Sequence, residues 1–516
     1  MTEADLTPAL ISARRWTDQD IQAAGLPMVD VPLVTVGGGL GSFALADTLR
    51  VAGVPSHAIR VLTTIDRPEE TYQRLAEQSQ IPLHERLRSD SASTIDNIWG
   101  FPSYALREGW SAKGLGNKLK PWMNVVLEPL AADFWTPTSG QVYQSVAKEA
   151  ARIGWHSMTA KGAVRMVRAR HGGGFFTVLT PPRGFQPPPG MPPTKRIVYR
   201  SSHVHIAVGY PGVKFLDDLQ DYRQRHNDFS RVVNAYEPHD YVYEELLRRP
   251  STVMVRGSGI VAFRILVRLL EDREKRGANT TVLHLFRNYI HGPQGDKPTF
   301  RRPGRNGFAY QGFNYPKAAW GGQLKEQLES LDGPGRAELI RKMGGTNTPY
   351  RRAWEGLLDR GRHGGWYQQW IGQVTSVEPG PSQTITTTIV DPQQRPVQLG
   401  ANFIIDATGL ESDIAEHRLL ADLLSHGGAT RNAFGRLEVT PSFEVTGTRN
   451  EPGRLYASGS ITLGGYYAGV DSFLGLQYAA LRIADDLSTV GFGQRIGVSR
   501  SIREWLRWMR NQPIPG

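Results

Sequence analysis

The sequence predicts an α/β fold that contains two Rossmann-like dinucleotide-binding domains. An apolar run followed by a Gly-rich turn and a helical pattern occurs near residue 37, and the same order returns near residue 257. A strand of a parallel sheet is buried on both faces, so it appears in a sequence as an apolar run. The length of 516 residues suits two or three domains.

The first unit carries a dinucleotide-binding fingerprint. Its predicted strand, helix and second strand are residues 31–36, 43–52 and 59–62. In the turn, Gly37 permits a tight bend and Gly39 allows a pyrophosphate to approach the backbone. Ser42 is small enough for close packing of the helix on the strand. We therefore predict nucleotide binding here, with a structural Gly-rich turn as the alternative.

The acidic residue that usually binds the ribose at the end of the second strand is absent. The strand ends in Thr63 and Thr64, and Asp66 follows two residues later. A threonine hydroxyl or the Asp66 carboxylate is the candidate substitute. The ribose contact stays open between them.

The second unit repeats the pattern. Its predicted strand, helix and second strand are residues 252–255, 260–271 and 282–286. The fingerprint residues are Gly257, Gly259 and Ala262, and Arg287 follows the second strand. An arginine at that point suits a 2′-phosphate, which favours NADPH over NADH. The alternative is that Arg287 is an exposed charge at the end of a strand.

Each unit is followed by a block of predicted strands. These are residues 163–169, 174–180, 196–200 and 203–208 for the first, and 371–377, 383–390 and 396–400 for the second, whose block ends in the segment 403–409. A last strand leads to Gly459, and a Gly-rich loop then leads to a helix that begins near Gly475 and Leu476. The N-terminus of a helix carries a positive dipole end, which suits the negative charge of a reduced flavin.

Composition excludes several classes of protein. The chain has no cysteine, which rules out disulfides, thiolate metal sites and a redox-active cysteine pair. The net charge of +11 is spread along the chain, so we expect a basic surface and no nucleic-acid partner. We find neither a signal peptide nor an apolar run long enough to cross a bilayer, and we expect a cytoplasmic protein without stable membrane insertion.

The C-terminal segment from Ile502 to Met509 places Trp505, Leu506 and Trp508 among arginines. We predict a terminal helix that docks on the protein. The alternative is contact with a membrane surface.

Several segments resemble the flavin-containing monooxygenase superfamily, which comprises the class B flavoprotein monooxygenases of the Baeyer–Villiger and N-hydroxylating types. They are Leu87-Arg88-Ser89-Asp90-Ser91, Gly100-Phe101-Pro102, Trp135-Thr136-Pro137 and Asp406-Ala407-Thr408-Gly409, in addition to the two glycine turns. The resemblance covers roughly residues 30–490. It implies FAD at the first turn, NADPH at the second, and oxygenation of a small molecule through a C4a-(hydro)peroxyflavin.

The resemblance also implies roles for single residues. Arg88 and Gly459 would contact cofactor, and Asp90 and Tyr467 would lie near the reacting centre. The chain departs from the family in placing Asp90 where an asparagine is usual. This matters because an asparagine can donate a hydrogen bond and an ionised Asp cannot. It also has Ser460 in place of an aspartate, and the family signature ahead of the second turn is reduced to His239 and Tyr243.

Two alternatives remain open. One is an FAD-dependent dehydrogenase or reductase without oxygen insertion, which Asp90 favours. The other is a nucleotide-binding protein without turnover. The aromatic-rich stretches 99–110 and 308–320 are candidates to cover an apolar or aromatic substrate, or are ordinary core aromatics.

The predicted division of the chain has five parts. They are an N-terminal extension (1–29), the first part of an FAD-binding domain (30–215), an NAD(P)H-binding domain (216–365), return strands with the last part of the FAD-binding domain (366–495), and a C-terminal tail (496–516).

Overall fold

The structure is a computed structural model. It describes residues 5–86, 101–127, 137–186, 195–293, 304–311, 323–343, 348–349 and 352–515. Within them the strands are β1 Arg15–Trp16, β2 Met28–Asp30, β3 Leu33–Val36, β4 Ile59–Thr63, β5 Thr159–Lys161, β6 Ala163–Arg170, β7 Phe175–Thr180, β8 Ile197–Ser201, β9 His203–Ile206, β10 Val232–Asn234, β11 Ser251–Arg256, β12 Thr280–Phe286, β13 Gly304–Arg305, β14 Phe308–Gln311, β15 Thr348–Pro349, β16 Tyr367–Ile371, β17 Gln373–Pro379, β18 Ile385–Val390, β19 Pro396–Ala401, β20 Phe403–Asp406 and β21 Arg454–Ala457.

The α-helices of the same residues are α1 Pro8–Ser12, α2 Asp18–Ala23, α3 Leu40–Val51, α4 Glu70–Gln78, α5 Phe101–Ser111, α6 Leu115–Leu127, α7 Ser139–Ile153, α8 Trp155–Met158, α9 Asp217–His226, α10 Asp240–Arg248, α11 Ile260–Arg276, α12 Gln323–Ser330, α13 Gly333–Met343, α14 Arg352–His363, α15 Arg418–His426, α16 Phe473–Thr489 and α17 Val498–Met509. No helix among the described residues has the length and apolar character needed to cross a membrane.

The first parallel sheet has the strand order β21-β9-β3-β4-β5. Its central strand β3 is buried at all four positions, as expected for a strand covered on both faces. Helix α3 follows β3 and packs against α16. The chain therefore returns more than 200 residues later, through β21, to complete this sheet.

The second parallel sheet has the strand order β10-β20-β11-β12-β16. Its centre repeats that of the first sheet. In the first sheet Thr35 lies opposite His205, and in the second Val255 lies opposite Ile405. Helix α11 follows the glycine turn as α3 does in the first unit. The predicted α/β fold with two Rossmann-like units is confirmed.

A second sheet, with three antiparallel strands at its centre, accompanies each parallel one. Strands β6, β7 and β8 form the first, with β1 and β2 at its edges, and β17, β18 and β19 form the second. The predicted strand 371–377 was wrong in its bounds, because one strand ends before Gly372 and another begins after it. A Cβ at Gly372 would lie 2.7 Å from the Val390 carbonyl oxygen, so β16 ends in the parallel sheet and β17 starts the antiparallel one.

The chain passes from the first unit to the second after β9 and returns after β20, and we call these two stretches the crossing segments. They and one interface join the units. Val213 and Leu410 pair as an isolated antiparallel bridge between the two crossings. The buried Asp406 carboxylate accepts the Leu216 backbone N–H at 2.7 Å, and burial raises the pKa of Asp406. Arg264 of α11 donates to the Gln80 carbonyl at 2.8 Å. The carboxyl ends of both parallel sheets are thus held at a common interface.

Candidate functional site

Both glycine turns are dictated by close backbone contacts at the carboxyl end of a parallel sheet. Gly37 has φ +131°, and an added Cβ would lie 2.2 Å from the Ala207 carbonyl oxygen. Gly257 has φ +129°, and its Cβ would lie 2.5 Å from the Ala407 carbonyl oxygen. Any other residue would have to move the neighbouring strand end. The two turns are therefore geometric repeats of one another.

The helices after these turns begin in a form suited to an anion. Gly39 and Gly259 are the N-caps of α3 and α11, both extended and without a side-chain cap. A Cβ at Gly39 would meet nothing within 4 Å, so space lies open there. The N–H groups of an uncapped first turn and the helix dipole form an anion-binding site. The third fingerprint residues, Ser42 and Ala262, are fully buried.

A chain of buried hydrogen bonds lies beneath the first turn, and we call it the polar relay. The Thr35 hydroxyl donates to Ser42 Oγ at 3.0 Å, so it accepts from His205 Nδ1 at 2.8 Å. His205 Nε2 then accepts the Ser458 hydroxyl at 2.8 Å. Ser42 Oγ also accepts the Gly38 backbone N–H at 3.3 Å. Burial lowers the pKa of His205 to about 3, so the ring is neutral and its tautomer is fixed.

The second unit has no such relay. The positions equivalent to Thr35, Ser42 and His205 are Val255, Ala262 and Ile405. The equivalent of Ser458 is Ala235, since the N–H of Ser458 bonds to Ile206 and that of Ala235 to Asp406. The same backbone framework therefore packs with four apolar side chains. The polar relay is a feature of the first site and not a requirement of the fold.

A different histidine supports the second turn. His284 Nε2 donates to the Gly257 carbonyl at 2.6 Å, and its Nδ1 accepts the Tyr367 hydroxyl at 2.9 Å. Burial lowers the pKa of His284 to about 4, so it is neutral. This histidine fixes the orientation of the Gly257 peptide. These two hydrogen bonds give His284 a structural role beneath the turn.

The end of β4 has no buried acid. The Thr63 side chain lies beneath the glycine turn, where a Cβ at Gly38 would come within 2.0 Å of its Oγ1, and it bonds the Ile65 N–H at 3.1 Å. Thr64 is exposed. Asp66 is exposed and pairs with Lys161 at 2.6 Å, which lowers its pKa. Thr64 and Asp66 are thus the groups at this edge whose polar atoms face solvent.

Arg287 directly follows β12, next to the strand that leads into Gly257. Its side chain is exposed, and no hydrogen bond or ion pair joins it to another described residue. A guanidinium with all of its donors available at this point suits a phosphate.

A third glycine turn closes the first site. Gly459 follows β21 with φ +84°, and the buried Ser460 Oγ has no hydrogen-bond partner among the described residues. A Cβ at Gly475 would lie 1.9 Å from the Gly469 carbonyl oxygen, so α16 begins in tight contact with the loop before it. Leu476 lies beside Gly41 in the first turn of α3. The ends of β9 and β21 and the starts of α3 and α16 thus meet at one place.

The two predicted reacting residues differ in outcome. Asp90, like the predicted cofactor residue Arg88, lies outside the described residues. Tyr467 is 1% exposed, and its ring stacks on Tyr478 with centroids 4.6 Å apart. Its packing places it in the core of the first domain, and direct contact with a substrate stays a prediction.

His239 and Tyr243 form a buried pair. His239 Nδ1 donates to the Glu237 carbonyl at 2.7 Å, and its Nε2 accepts the Tyr243 hydroxyl at 3.0 Å. The spacing noted in the sequence therefore corresponds to a real contact at the start of α10. Of the aromatic-rich stretches, Phe308 is buried in the core of the second domain, and Trp110 is exposed.

A polar cluster between the domains was not predicted from the sequence. The Tyr210 hydroxyl, in the first crossing segment, donates to Asp471 Oδ2 at 2.8 Å. Asp471 lies two residues before α16 and is exposed. Burial and then the Asp471 charge raise the pKa of Tyr236, in the second domain, to about 12. No group of side chains suited to a metal ion occurs among the residues that the structure describes.

The fold and these two turns define a protein with two dinucleotide-binding domains of the FAD/NAD(P)-binding type. No family model matches the sequence, and no curated protein matches it. Solved structures do match in fold. The ornithine N-hydroxylase KtzI of Kutzneria sp. 744, solved with reduced FAD, NADP⁺ and L-ornithine, has 13% identity and a TM-score of 0.62, with 90% of this chain and 100% of that chain covered.

Two further structures show the range of the fold. The cadaverine monooxygenase DfoA of Erwinia amylovora, bound to FAD, has 13% identity and a TM-score of 0.60, with 95% of this chain and 96% of that chain covered. The bacillithiol disulfide reductase Bdr of Bacillus cereus has 13% identity and a TM-score of 0.51, with 90% and 100% covered. This chain therefore has the fold of these flavoenzymes along most of its length.

Proposed function

We propose that this chain is an FAD-dependent, NADPH-using monooxygenase that hydroxylates the amine of a small molecule. The observation that carries the proposal is the pair of glycine turns, each at the carboxyl end of its own parallel sheet. The match in fold to two N-oxygenating enzymes over at least nine tenths of this chain supports the same reading. The reaction would convert amine, dioxygen, NADPH and a proton into hydroxylamine, water and NADP⁺.

The residues of the first site fit FAD. Its pyrophosphate would lie over Gly39, where space is open and the first N–H groups of α3 are uncapped. The orphaned Ser460 Oγ would bond the cofactor, and the backbone at Gly475 and Leu476 would face its flavin end. Thr64 or Asp66 would contact the ribose. When bound, FAD supplies the redox centre that takes electrons from NADPH and passes them to dioxygen.

The residues of the second site fit NADPH. Gly257, Gly259 and Ala262 would receive the pyrophosphate at the start of α11, and His284 holds the Gly257 peptide in place. Arg287 would bind the 2′-phosphate. The crossing segments and the Arg264 contact hold the two sites at one interface, which is the arrangement that transfer between two cofactors needs.

We infer that the substrate is an amine, and Asp471 is the group that favours it. Its exposed carboxylate, oriented by Tyr210, lies between the domains close to the start of α16. A carboxylate attracts a protonated amine and repels an anion. An apolar or aromatic substrate has less support, because Phe308, from a stretch that was a candidate to cover such a substrate, is buried in the core of the second domain.

A reductase without oxygen insertion is the second candidate. The match to a bacillithiol disulfide reductase shows that this fold also serves such enzymes. The absence of cysteine limits this candidate to reductases that do not pass electrons through a cysteine pair of their own.

The test is oxygenation of ornithine and cadaverine in isotopically labelled dioxygen with NADPH. The proposal predicts one labelled oxygen in a hydroxylamine product, and a raised KM for the Asp471→Asn variant with less change in kcat. The matched control is Asp485→Asn, an exposed carboxylate on α16. Consumption of NADPH with no label in any amine would favour the reductase.

A further inference from the structure

The helical hairpin of α5 and α6 exposes a large number of apolar side chains. They are Trp110, Leu115, Leu119, Trp122, Met123 and Val126, each between 44% and 80% exposed. Single exposed apolar residues are ordinary, but a group of this size on one element marks a binding surface.

The exposed residues of α6 share one face. Leu115, Leu119 and Val126 are spaced by four and seven residues, so they lie on the same face of a helix with about 3.6 residues per turn. Trp122 and Met123 lie between Leu119 and Val126 in the sequence. The helix is fixed on α5 at Gly109, where an added Cβ would lie 2.8 Å from Trp122 Nε1. Trp122 therefore takes part both in this apolar face and in the contact with α5, and the rest of the face lies beside that contact and is exposed.

Helix α17 shows a second face of the same kind. Trp508 and Glu504 are buried and dock the helix, as the sequence predicted for this segment. Val498, Ile502 and Leu506 lie on another side and are 80%, 55% and 41% exposed. The two elements touch, because the Arg107 guanidinium of α5 lies 4.4 Å from the centre of the Trp508 ring.

The charges around both faces have one sign. In segment 101–127 the basic residues are Arg107, Lys113, Lys118 and Lys120, and in segment 495–515 they are Arg495, Arg500, Arg503, Arg507 and Arg510. The acids of these two described segments are Glu108 and Glu504. Glu504 is 2% exposed, and burial raises the pKa of the half-buried Glu108. Neither segment presents an exposed carboxylate.

We propose that the apolar faces of α5–α6 and α17 bind the surface of an anionic lipid bilayer. Trp, Leu, Met and Val side chains would enter the headgroup boundary, while Lys118, Lys120 and Arg503 would contact acidic headgroups. A second copy of the chain is the poorer occupant, because a symmetric contact would bring the same lysines against each other. This proposal does not depend on the proposed activity.

The test is co-sedimentation of the full chain with vesicles of phosphatidylcholine, with or without phosphatidylglycerol. At low salt we expect binding to the anionic vesicles at least about tenfold stronger than to the neutral ones, with a loss in high salt. Leu119→Ser with Val126→Ser, and separately Ile502→Ser with Leu506→Ser, should each weaken binding about tenfold. These positions are exposed, so the thermal unfolding midpoint should not change.

The matched control is Phe229→Ser, which removes an apolar residue of the second domain that is 50% exposed. It should leave vesicle binding unchanged. Equal binding to both kinds of vesicle, or none at low salt, would overturn the proposal. Self-association of the chain that the same double substitutions abolish would also overturn it, because the apolar faces would then bind a second copy of the chain.

Discussion

Replacing His205 with isoleucine should destabilise the first domain strongly, whereas replacing the whole polar relay should not. His205→Ile leaves Thr35 with one hydrogen bond fewer and the Ser458 hydroxyl without an acceptor, and both residues are buried. The second domain shows that isoleucine itself fits such a position, since Ile405 occupies it there. The expected loss therefore comes from stranded polar groups and not from poor packing.

The magnitude follows from the bonds that are broken. The stranded Ser458 donor costs about 1–3 kcal/mol, and the bond that Thr35 loses contributes about 0.5–1.5 kcal/mol more. The single substitution should thus cost about 1.5–4.5 kcal/mol. The quadruple variant Thr35→Val, Ser42→Ala, His205→Ile, Ser458→Ala copies the second domain and strands only the Gly38 N–H, so it should cost about 1 kcal/mol.

The assay is urea denaturation of the protein stripped of cofactor, which removes any contribution from FAD binding to stability. As the converse control, Val255→Thr introduces a lone buried hydroxyl into the second domain and should cost about 1–3 kcal/mol. A quadruple variant as unstable as the sum of its parts, or a His205→Ile variant of unchanged stability, would refute the reasoning.

Three further outcomes are expected. Arg287→Ala should weaken NADPH binding by at least about tenfold and leave NADH nearly unchanged, and equal losses would remove the argument for a 2′-phosphate contact. Gly37→Ala should abolish FAD binding while Gly257→Ala abolishes only NADPH binding, measured by flavin content and by titration; loss of both ligands in either variant would mean that the sites are not separate. His205 and His284 have pKa values near 3 and 4 in the folded protein and 6.5 when unfolded, so stability should be constant above pH 6.5 and fall below it by about 1.4 kcal/mol per pH unit for each. A thermal midpoint that is flat or rises between pH 6.5 and pH 5 would contradict that assignment.

The parallel strands and glycine turns could be predicted because their causes are local. A buried strand such as β3 is apolar at every position, and Gly37 must be glycine because the Ala207 carbonyl lies against it. The bounds of a strand could not be predicted where a tertiary contact decides them. Gly372 ends one strand and separates it from the next, and nothing in the apolar pattern of 367–379 marks the break.

The polar relay and the interdomain cluster could not be predicted in the same way. His205 and Ser458 are distant in the sequence from Thr35 and Ser42, and the four residues meet only when β9 pairs with β3 and with β21 beneath the turn. A signal was nonetheless present, since the equivalent positions of the second unit are all apolar. Tyr210 and Asp471 meet only after the crossing segments are placed, and their spacing in the sequence carries no pattern.

Anaerobic mixing of the FAD-loaded protein with NADPH tests the central claim most directly. If the first turn holds FAD and the second holds NADPH at a shared interface, the protein will retain flavin through gel filtration, and NADPH will bleach its visible absorbance. Admission of dioxygen will restore the colour. A chain that retains no FAD, or that retains it in a form NADPH cannot reduce, would contradict the account.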